Sequence, residues 1–337
     1  MAEEEKAVGI GFIGCGGNAR GHMNRLAAME RARLAAVCDI DEGRARQAAE
    51  STGAEAFTDF RRMLERDDLD AVYLSLPVFA HGEPELAVIE RGLPFFVEKP
   101  VARHLDQALE IEAAVEAAGL ITCVGYQLRY LGSTDIARQT LEGAAVSLAS
   151  GRYWSGSGRV APDRKSWVTT MAQSGGQLVE QATHTLDMMR FLVGEVGAVT
   201  ARHANRQVPH IDCPDVHAVI LEFDCGALGT LTTTWAYDNL DWSETNIVDV
   251  LYDQSLLTWG RERVAVRSRR PREEGEGEEM ATEVHTAPGP GIDEVFVEAV
   301  AAGDGSRIRS PYADAVKSLA LCLAALEAGQ TGRTVSL

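Results

Sequence analysis

The sequence predicts an α/β fold in two domains: a doubly wound parallel sheet, then an α/β domain built on a large, mainly antiparallel open sheet. Three observations support this prediction. The 337 residues are enough for two domains at roughly 150 residues each. Strand and helix patterns alternate over the first part of the chain, which is typical of a parallel sheet with right-handed crossovers. Beyond residue 130, strand patterns follow one another with few helices between them.

The first domain is predicted over residues 1–127. Segment 71–76 carries no charge, as expected of a strand that is buried on both faces of a parallel sheet. Asp41 fits the N-cap position of the helix after the second strand. The predicted strands of this domain are 8–13, 33–39, 71–76, 95–98 and 120–125, and its predicted helices are 20–30, 42–51, 82–91 and 105–118.

The second domain is predicted over residues 128–337. Apolar and polar residues alternate along 228–235, which indicates a half-exposed strand. The acidic, glycine-rich stretch 272–279 is interpreted as a solvated loop between edge strands. The predicted strands are 152–154, 216–223, 227–235, 246–252 and 255–259, and the predicted helices are 177–193, 293–302 and 312–328.

The composition excludes several classes of partner. A formal charge of −18 argues against non-specific binding to nucleic acid or to anionic membranes, because phosphates need cationic partners. No run reaches the ~18 apolar residues of a membrane helix, and the acidic amino terminus lacks the features of a signal peptide. Six scattered cysteines show no metal-ligand spacing, which favours buried reduced thiols. We therefore expect a soluble, cytoplasmic protein.

A glycine-rich motif follows the first predicted strand directly. Gly14, Gly16 and Ala19 have the GxGxxA form, with Gly17 and Asn18 between them. The first glycine permits a tight turn, the second lets the backbone approach a pyrophosphate, and the helix N-terminus supplies amide donors. The motif therefore predicts a Rossmann dinucleotide-binding domain. The alternative is a glycine-rich turn that binds no ligand.

The end of the second strand bears on the choice of dinucleotide. Asp39 lies at the distance from the motif that suits a carboxylate binding the ribose hydroxyls. Ile40 follows it, and no arginine stands beside it to pair with a 2′-phosphate. NAD is therefore favoured over NADP.

Four further segments carry a resemblance to a known family. They are 76–81 (Leu-Pro-Val-Phe-Ala-His), 98–100 (Glu-Lys-Pro), 125–129 (Gly-Tyr-Gln-Leu-Arg) and 175–187, which contains Gly-Gly and Glu-x3-His-x2-Asp. With the glycine motif, they make the chain similar to the glucose-fructose oxidoreductase and inositol dehydrogenase family. The resemblance implies hydride transfer between a nicotinamide and a hydroxyl-bearing carbon of a sugar, inositol or related polyol. It also implies dimers or tetramers that associate through the open sheet.

Lys99 follows a predicted strand, at the edge where open α/β sheets bind their ligands. Its ammonium can donate a hydrogen bond to a substrate hydroxyl, and the resemblance places it in the active site. The alternative is a surface lysine paired with Glu98. By the same resemblance, the residues expected beside the cofactor are Leu76, Pro77, His81, Glu98, Lys99 and Gln127.

Glu180, His184 and Asp187 are spaced to share one face of a single predicted helix. Oxidation of an alcohol needs a base for the hydroxyl proton, and histidine suits this role near neutral pH. The carboxylate of Glu180 can orient the imidazole, although the family usually has Asp there, so contact with substrate is the alternative. A zinc site is not expected, because no second His or Cys recurs at ligand spacing. Asp187 can equally form a structural ion pair.

Other candidate residues have weaker patterns. By the resemblance, Arg129 either binds substrate or forms a salt bridge between the domains. His81 either lies near the cofactor or stabilises the start of a helix. Trp154, Lys165 and Trp167 are candidates for substrate contact, since an aromatic ring suits the apolar face of a sugar, although tryptophan is more often found in a core.

These residues predict an NAD-dependent dehydrogenase or reductase in which Lys99 and His184 move the proton and Glu180 supports the histidine. Two alternatives remain. One is a glycosidase or lyase that oxidises its substrate transiently and restores the cofactor. The other is a sensor that binds the dinucleotide without catalysis.

Overall fold

A computed structural model describes residues 7–155, 166–237, 245–272 and 277–337. The chain divides into two compact units. The first consists of the chain up to Tyr126 together with the later segment Gly291–Val316. The second consists of Gln127–Pro290 and Lys317–Leu337. The division after Tyr126 lies next to the predicted boundary at 127/128. The return of a late segment to the first unit differs from the continuous second domain that the sequence predicts.

The first unit contains a six-stranded parallel sheet in the order β3-β2-β1-β4-β5-β6. This is the doubly wound order, whose strands end at one edge where ligands bind. The fold class predicted for this half is confirmed. Its strands are β1 (Val8–Ile13), β2 (Ala32–Cys38), β3 (Glu55–Phe57), β4 (Ala71–Leu74), β5 (Phe95–Val97) and β6 (Thr122–Val124).

Helices connect these strands. Asp41 caps α2 as predicted, since its side chain accepts a hydrogen bond from the Arg44 amide. The short β3 and α3 are absent from the sequence prediction because neither has a clear periodic pattern. The helices of this unit are α1 (Gly17–Ala27), α2 (Glu42–Thr52), α3 (Phe60–Leu64), α4 (Glu83–Glu90), α5 (Leu105–Ala118) and α10 (Ile292–Ala302).

Apolar packing holds the late segment against the first unit. The Phe296 ring of α10 lies 5.4 Å from that of Tyr73 and 6.0 Å from that of Phe96, edge-on in both cases. The Val124 amide donates to the Ser310 carbonyl, so the segment also bonds to the end of β6. Such contacts between residues far apart in the chain leave no periodic signal in the sequence.

The second unit contains a nine-stranded sheet in the order β14-β13-β12-β11-β7-β10-β9-β8-β15. Every neighbouring pair is antiparallel except β7 and β10, which are parallel. The predicted open, mainly antiparallel sheet is confirmed. Its strands are β7 (Val146–Trp154), β8 (Val196–Ala204), β9 (Val216–Phe223), β10 (Leu228–Thr234), β11 (Asn246–Tyr252), β12 (Ser255–Trp259), β13 (Val264–Pro271), β14 (Glu278–His285) and β15 (Val335–Ser336). Part of the predicted 272–279 loop, 273–276, lies outside the described residues.

Helices cover one face of this sheet. Gly151 and Gly229 let the helix that carries Met189 approach the sheet closely. A Cβ on Gly151 would lie 2.7 Å from the Met189 sulfur, and a Cβ on Gly229 would lie 3.2 Å from the Met189 methyl carbon. The helices of the second unit are α6 (Gly132–Leu141), α7 (Met171–Ser174), α8 (Gly176–Glu180), α9 (Thr183–Val193) and, from Lys317 onward, α11 (Tyr312–Thr331). Within the described part of the chain, no helix is long and apolar enough to span a membrane.

The other face of the sheet is exposed and partly apolar. Leu251 and Leu148 are partners across β11 and β7, and Leu148 and Leu228 are partners across β7 and β10. These three leucines form a row across three strands, each between 36% and 52% exposed. Ile220 is 51% exposed on β9 beside them. We call these three leucines together with Ile220 the leucine row.

Candidate active site

The glycine motif forms the turn that the sequence predicts. Gly14 has a φ of +95°, and a Cβ there would lie 2.2 Å from the Ser75 carbonyl oxygen. Around Gly16 and Gly17 nothing lies within 4 Å of a Cβ position. No side chain caps α1, and Gly17 and Asn18 in its first turn are exposed. This arrangement fits the pyrophosphate of a dinucleotide.

Asp39 lies just past β2 with its carboxylate held from several sides. One oxygen accepts the Cys15 amide at 2.9 Å, and the other accepts the Asp41 amide at 2.9 Å. The Arg44 guanidinium donates to that second oxygen from Nη2 at 2.8 Å and from Nε at 3.1 Å. Burial opposes ionisation, but the Arg44 hydrogen bonds lower the pKa of Asp39. The carboxylate is thus preorganised next to the glycine turn.

Arg44 is a residue that the sequence prediction missed. The residue directly after Asp39 is Ile40, which is 91% exposed and cannot pair with a phosphate. Arg44 reaches Asp39 from the first turn of α2, because a helix that begins after Asp41 brings that position back toward the strand end. The spacing of Asp39 and Arg44, with an N-cap between them, is the signal that could have revealed it.

His81 stabilises the chain after β4. Its Nδ1 lies 2.6 Å from a Glu85 oxygen, and its Nε2 lies 3.3 Å from the Leu76 carbonyl oxygen. Burial opposes its charge, but the Glu85 carboxylate raises the pKa of His81. These contacts favour the alternative of a structural residue at the start of α4. Cofactor contact by Leu76, Pro77 and His81 stays a prediction.

Lys99 follows β5 at the same sheet edge as the glycine turn and Asp39. Its side chain is half-buried, and its peptide bond to Pro100 is cis. Its amide donates to Glu98 Oε2 at 3.2 Å. Glu98 Oε1 in turn contacts His22 Nε2 at 3.1 Å. The first unit therefore brings the glycine turn, Asp39 and Lys99 to the edge where doubly wound sheets bind ligands.

In the second unit, the single helix predicted over 177–193 is wrong. It is broken into α8 and α9, and Gln181 between them has φ −121° and ψ −50°. The Gln181 side chain accepts hydrogen bonds from the Trp235 indole and from the Ser155 hydroxyl at 3.2 Å. These bonds anchor the break to the ends of β10 and β7. Glu180 therefore ends one helix and His184 lies in the first turn of the next, so their spacing on one helix face does not apply.

Glu180 and His184 differ in exposure. Glu180 is buried, with 4% of its surface exposed, whereas His184 is half-buried. The partly exposed imidazole suits a group that exchanges a proton with a ligand. Asp187 lies one turn beyond His184 on α9 and is fully buried.

Arg129 and Asp187 form a buried ion pair. Arg129 donates from Nε to Asp187 Oδ2 at 2.8 Å and from Nη2 to Oδ1 at 2.6 Å. The Ser318 hydroxyl adds a hydrogen bond to Oδ1 at 2.6 Å. Both residues lie in the second unit, so this pair is not a salt bridge between the two units. Its geometry favours the structural role for Asp187, and substrate binding by Arg129 stays a prediction.

The remaining candidates lie in different surroundings. Gln127 is exposed at the start of a 3₁₀ turn. Trp167 is partly buried against a core cluster that includes Val168 and Trp235, which favours the core alternative. Trp154 lies on the exposed sheet face, and Lys165 lies outside the described residues. Over the described ranges no group of His, Cys, Asp or Glu is arranged to hold a metal ion.

Comparison with known proteins places the chain in a family. Residues 8–126 match the model of an oxidoreductase family with an NAD-binding Rossmann fold, and residues 143–248 match the GFO/IDH/MocA C-terminal domain. The chain belongs to the GFO/IDH/MocA oxidoreductase family. The resemblance stated from the motifs is confirmed, and so are the oxidoreductase class and the NAD cofactor.

Relatives and solved structures of similar fold extend this finding. The scyllo-inositol 2-dehydrogenase (NAD(+)) of Bacillus subtilis is 29% identical over 61% of this chain and 60% of its own length. Inositol 2-dehydrogenase 2 of Saccharopolyspora erythraea is 29% identical over 65% and 64%. The match thus spans less than two thirds of each of these relatives. A levoglucosan dehydrogenase in complex with NADH has a TM-score of 0.85 at 21% identity, covering 98% of this chain and 99% of that one.

Proposed function

We propose that this protein oxidises a secondary hydroxyl of an inositol, sugar or related polyol with NAD, using Lys99 and His184 to handle the proton. The observation that carries the proposal is the sheet edge of the first unit. There the open glycine turn, the preorganised Asp39 and the half-buried Lys99 follow three strands of one parallel sheet. A lysine at the cofactor edge suits a substrate oxygen better than it suits a purely structural role.

In the proposed reaction, cofactor binding and proton transfer fall to different residues. The amides at the start of α1 bind the pyrophosphate, and Asp39 accepts hydrogen bonds from the adenosine ribose hydroxyls. When bound, NAD supplies the acceptor for the hydride that leaves the carbinol carbon. His184 takes the hydroxyl proton on its imidazole as the C–O bond becomes a carbonyl. The Lys99 ammonium donates to the same oxygen and stabilises the negative charge that develops on it.

Glu180 acts as the partner of His184 in this proposal. A carboxylate near an imidazole fixes its tautomer and stabilises its protonated form. Burial of Glu180 strengthens such an interaction, because water screens it less. The alternative role, direct contact with a substrate hydroxyl, predicts a rise in KM rather than a fall in kcat when Glu180 is replaced by Gln.

The experiment compares Lys99→Met and His184→Gln with two control variants that change the same residue types elsewhere. Lys317, which pairs with Glu195 on the surface, becomes Met, and the partly exposed His285 becomes Gln. NADH formation is followed on a panel of inositols, sugars and glycosides, with mass spectrometry of the products. We expect both site variants to lose activity by about a hundredfold or more while they still bind NADH.

Three outcomes bear on the proposal. Equal losses in site and control variants would contradict the roles of Lys99 and His184. Cleavage of a glycoside without net NADH would favour the transient-oxidation glycosidase or lyase. Tight NADH binding with no reaction on any compound, and ligand responses that persist in both site variants, would favour the sensor.

We also propose that two copies associate through the leucine row. Exposed apolar residues on an open sheet can pack against the same residues of a second copy under two-fold symmetry, which suits a homodimer or a homotetramer. Leu148→Glu is expected to yield monomers in analytical ultracentrifugation. Leu109→Glu is the control, because Leu109 is 49% exposed on α5, which is not part of this sheet. An unchanged mass for Leu148→Glu would refute the interface.

A cytoplasmic location is the remaining part of the proposal. All six cysteines are free thiols, and five of them are buried. Free thiols persist in reducing compartments. Fractionation of the source cells, with an antibody against this chain, tests the location directly.

A further inference from the structure

His22 lies inside the first unit on the helix that follows the glycine motif. It is 6% exposed, and its ring lies 4.7 Å from that of Phe96 and 5.6 Å from that of Tyr73. An imidazole so deeply placed among aromatic rings needs polar partners, because an unpaired buried polar group is costly. The sequence prediction assigned this histidine no role.

Two carboxylates face the two ring nitrogens. Nε2 lies 3.1 Å from Glu98 Oε1 and Nδ1 lies 2.5 Å from Asp293 Oδ1. Burial opposes ionisation of both carboxyl groups, but the contacts with His22 lower their pKa values. An ionised carboxylate can only accept, so the two carboxylates favour a proton on each nitrogen and hence an imidazolium. Burial opposes this charge, but the hydrogen bonds to Asp293 and Glu98 raise the pKa of His22 to about 9.

A second cation, Arg25, lies beside the same ring. Arg25, one turn along α1, donates from Nε to Asp293 Oδ2 at 2.5 Å, and its Nη2 lies 3.0 Å from His22 Nδ1. Asp293 therefore serves two cations, whereas Glu98 faces His22 and its own neighbour Lys99. The buried Tyr73 is the further titratable group beside the ring.

The Glu98 carboxylate contacts both His22 and the backbone of Lys99. Its second oxygen accepts the Lys99 amide at 3.2 Å. Gly125 leaves room for that oxygen, since a Cβ there would lie 2.7 Å from it. Burial opposes ionisation of Glu98, but the hydrogen bond and charge of His22, followed by the charge of Lys99, lower its pKa. Glu98 is therefore an anion that is fixed on one side by His22 and on the other by the backbone of Lys99.

We propose that His22 is a positioning residue for Lys99: as an imidazolium clamped between Glu98 and Asp293, it fixes the carboxylate that holds the lysine backbone at the end of β5. The inference rests on the proposed function for the catalytic role of Lys99. The cluster ties the helix of the dinucleotide turn, the end of β5 and α10 to one another. A shift of this carboxylate would displace Lys99 relative to the cofactor turn.

The test compares His22→Gln with Arg25→Gln. Both variants remove a cation that binds Asp293, but only His22 touches Glu98, so Arg25→Gln is the matched control for a merely structural role. The first readout is the backbone amide signal of Lys99 in the ¹⁵N spectrum of the NADH complex. We expect it to move in His22→Gln and to stay in place in Arg25→Gln.

The second readout is turnover on the best substrate of the panel. We expect His22→Gln to lose about tenfold or more in kcat with little change in the Kd of NADH. Arg25→Gln should keep its kcat even if it melts at a lower temperature. Equal effects of the two variants on kcat, or a fall in NADH affinity that accounts for the whole loss, would overturn the inference.

The native chain provides a third readout if His22→Gln does not fold. Selective ¹⁵N labelling of histidine follows the His22 ring through its titration in mildly alkaline solution. The chemical shift of the Lys99 amide should change over the same pH range. A Lys99 amide shift that stays constant through the His22 titration would overturn the inference. These signals do not depend on turnover, so they decide the role of His22 even if Lys99→Met proves active and the proposed function fails.

Discussion

We predict that a pair of histidines makes the stability of the second unit sensitive to acid. His203 on β8 and His217 on β9 are register partners, and their rings lie 5.7 Å apart, edge to face. His217 is only 2% exposed. Burial, and after it the charge of His203, lower the pKa of His217 from 6.5 to about 4. The folded unit therefore keeps this imidazole neutral where the unfolded chain would protonate it.

The sign and size of the effect follow from this difference. Between pH 6.5 and 4 the unfolded chain binds a proton at this position that the folded chain does not, so the free energy of unfolding falls as the pH falls. The penalty is absent above pH 6.5, and it grows to about 3 kcal/mol near pH 4. A loss of that size is a large part of the stability of an ordinary domain.

The assay is urea unfolding of the native chain and of His217→Leu between pH 7.5 and pH 4.5. Every tryptophan of the chain falls within Gln127–Pro290, so tryptophan fluorescence reports on the second unit alone. The variant should gain stability relative to the native chain as the pH falls. His285→Leu is the control, because His285 on β14 is partly exposed, and this variant should follow the native profile. Parallel curves for the native chain and His217→Leu would refute the reasoning.

Three further predictions concern other charged groups. His22 should make the first unit less stable at alkaline pH, because its pKa rises from 6.5 to about 9. Its contribution of about 3 kcal/mol to the free energy of unfolding is complete below pH 6.5 and is lost as the pH rises through 9. Amide exchange in α1 and α10 measures this loss. Asp39→Gly should free Arg44 for a 2′-phosphate and raise the NADP-to-NAD ratio of kcat/KM by about tenfold or more, while Asp41→Asn should leave that ratio unchanged. Arg129→Met should cost about 3–5 kcal/mol in urea unfolding, because it leaves Asp187 charged and buried without its main partner, and adding Asp187→Asn should recover part of that loss.

The sequence predicts the parallel sheet of the first unit well. Its strands are uncharged runs between amphipathic helices, and both patterns depend only on residues close in the chain. β1 and α5 match the predicted bounds, and the Asp41 cap is confirmed. The second sheet is also predicted, although β8, β13, β14 and β15 are missing from the predicted strands and β7 is predicted too short.

The parts that escape prediction depend on contacts between distant residues. The break at Gln181 is held by Trp235 and Ser155, which no helical periodicity reveals. The clamp on His22 joins residues 271 positions apart in the chain. Candidate residues could thus be chosen from motifs, whereas their partners could be found only from the fold.

Transfer of deuterium is the most direct test of the central claim. A polyol from the active part of the panel is labelled with deuterium at the reacting carbinol carbon and incubated with NAD and the native protein. The account predicts NADH that carries the label, a ketone product, and loss of both in His184→Gln. Two results would contradict the account. One is a cleaved or rearranged product that keeps the deuterium while no net NADH forms, and the other is formation of NADH that carries no deuterium.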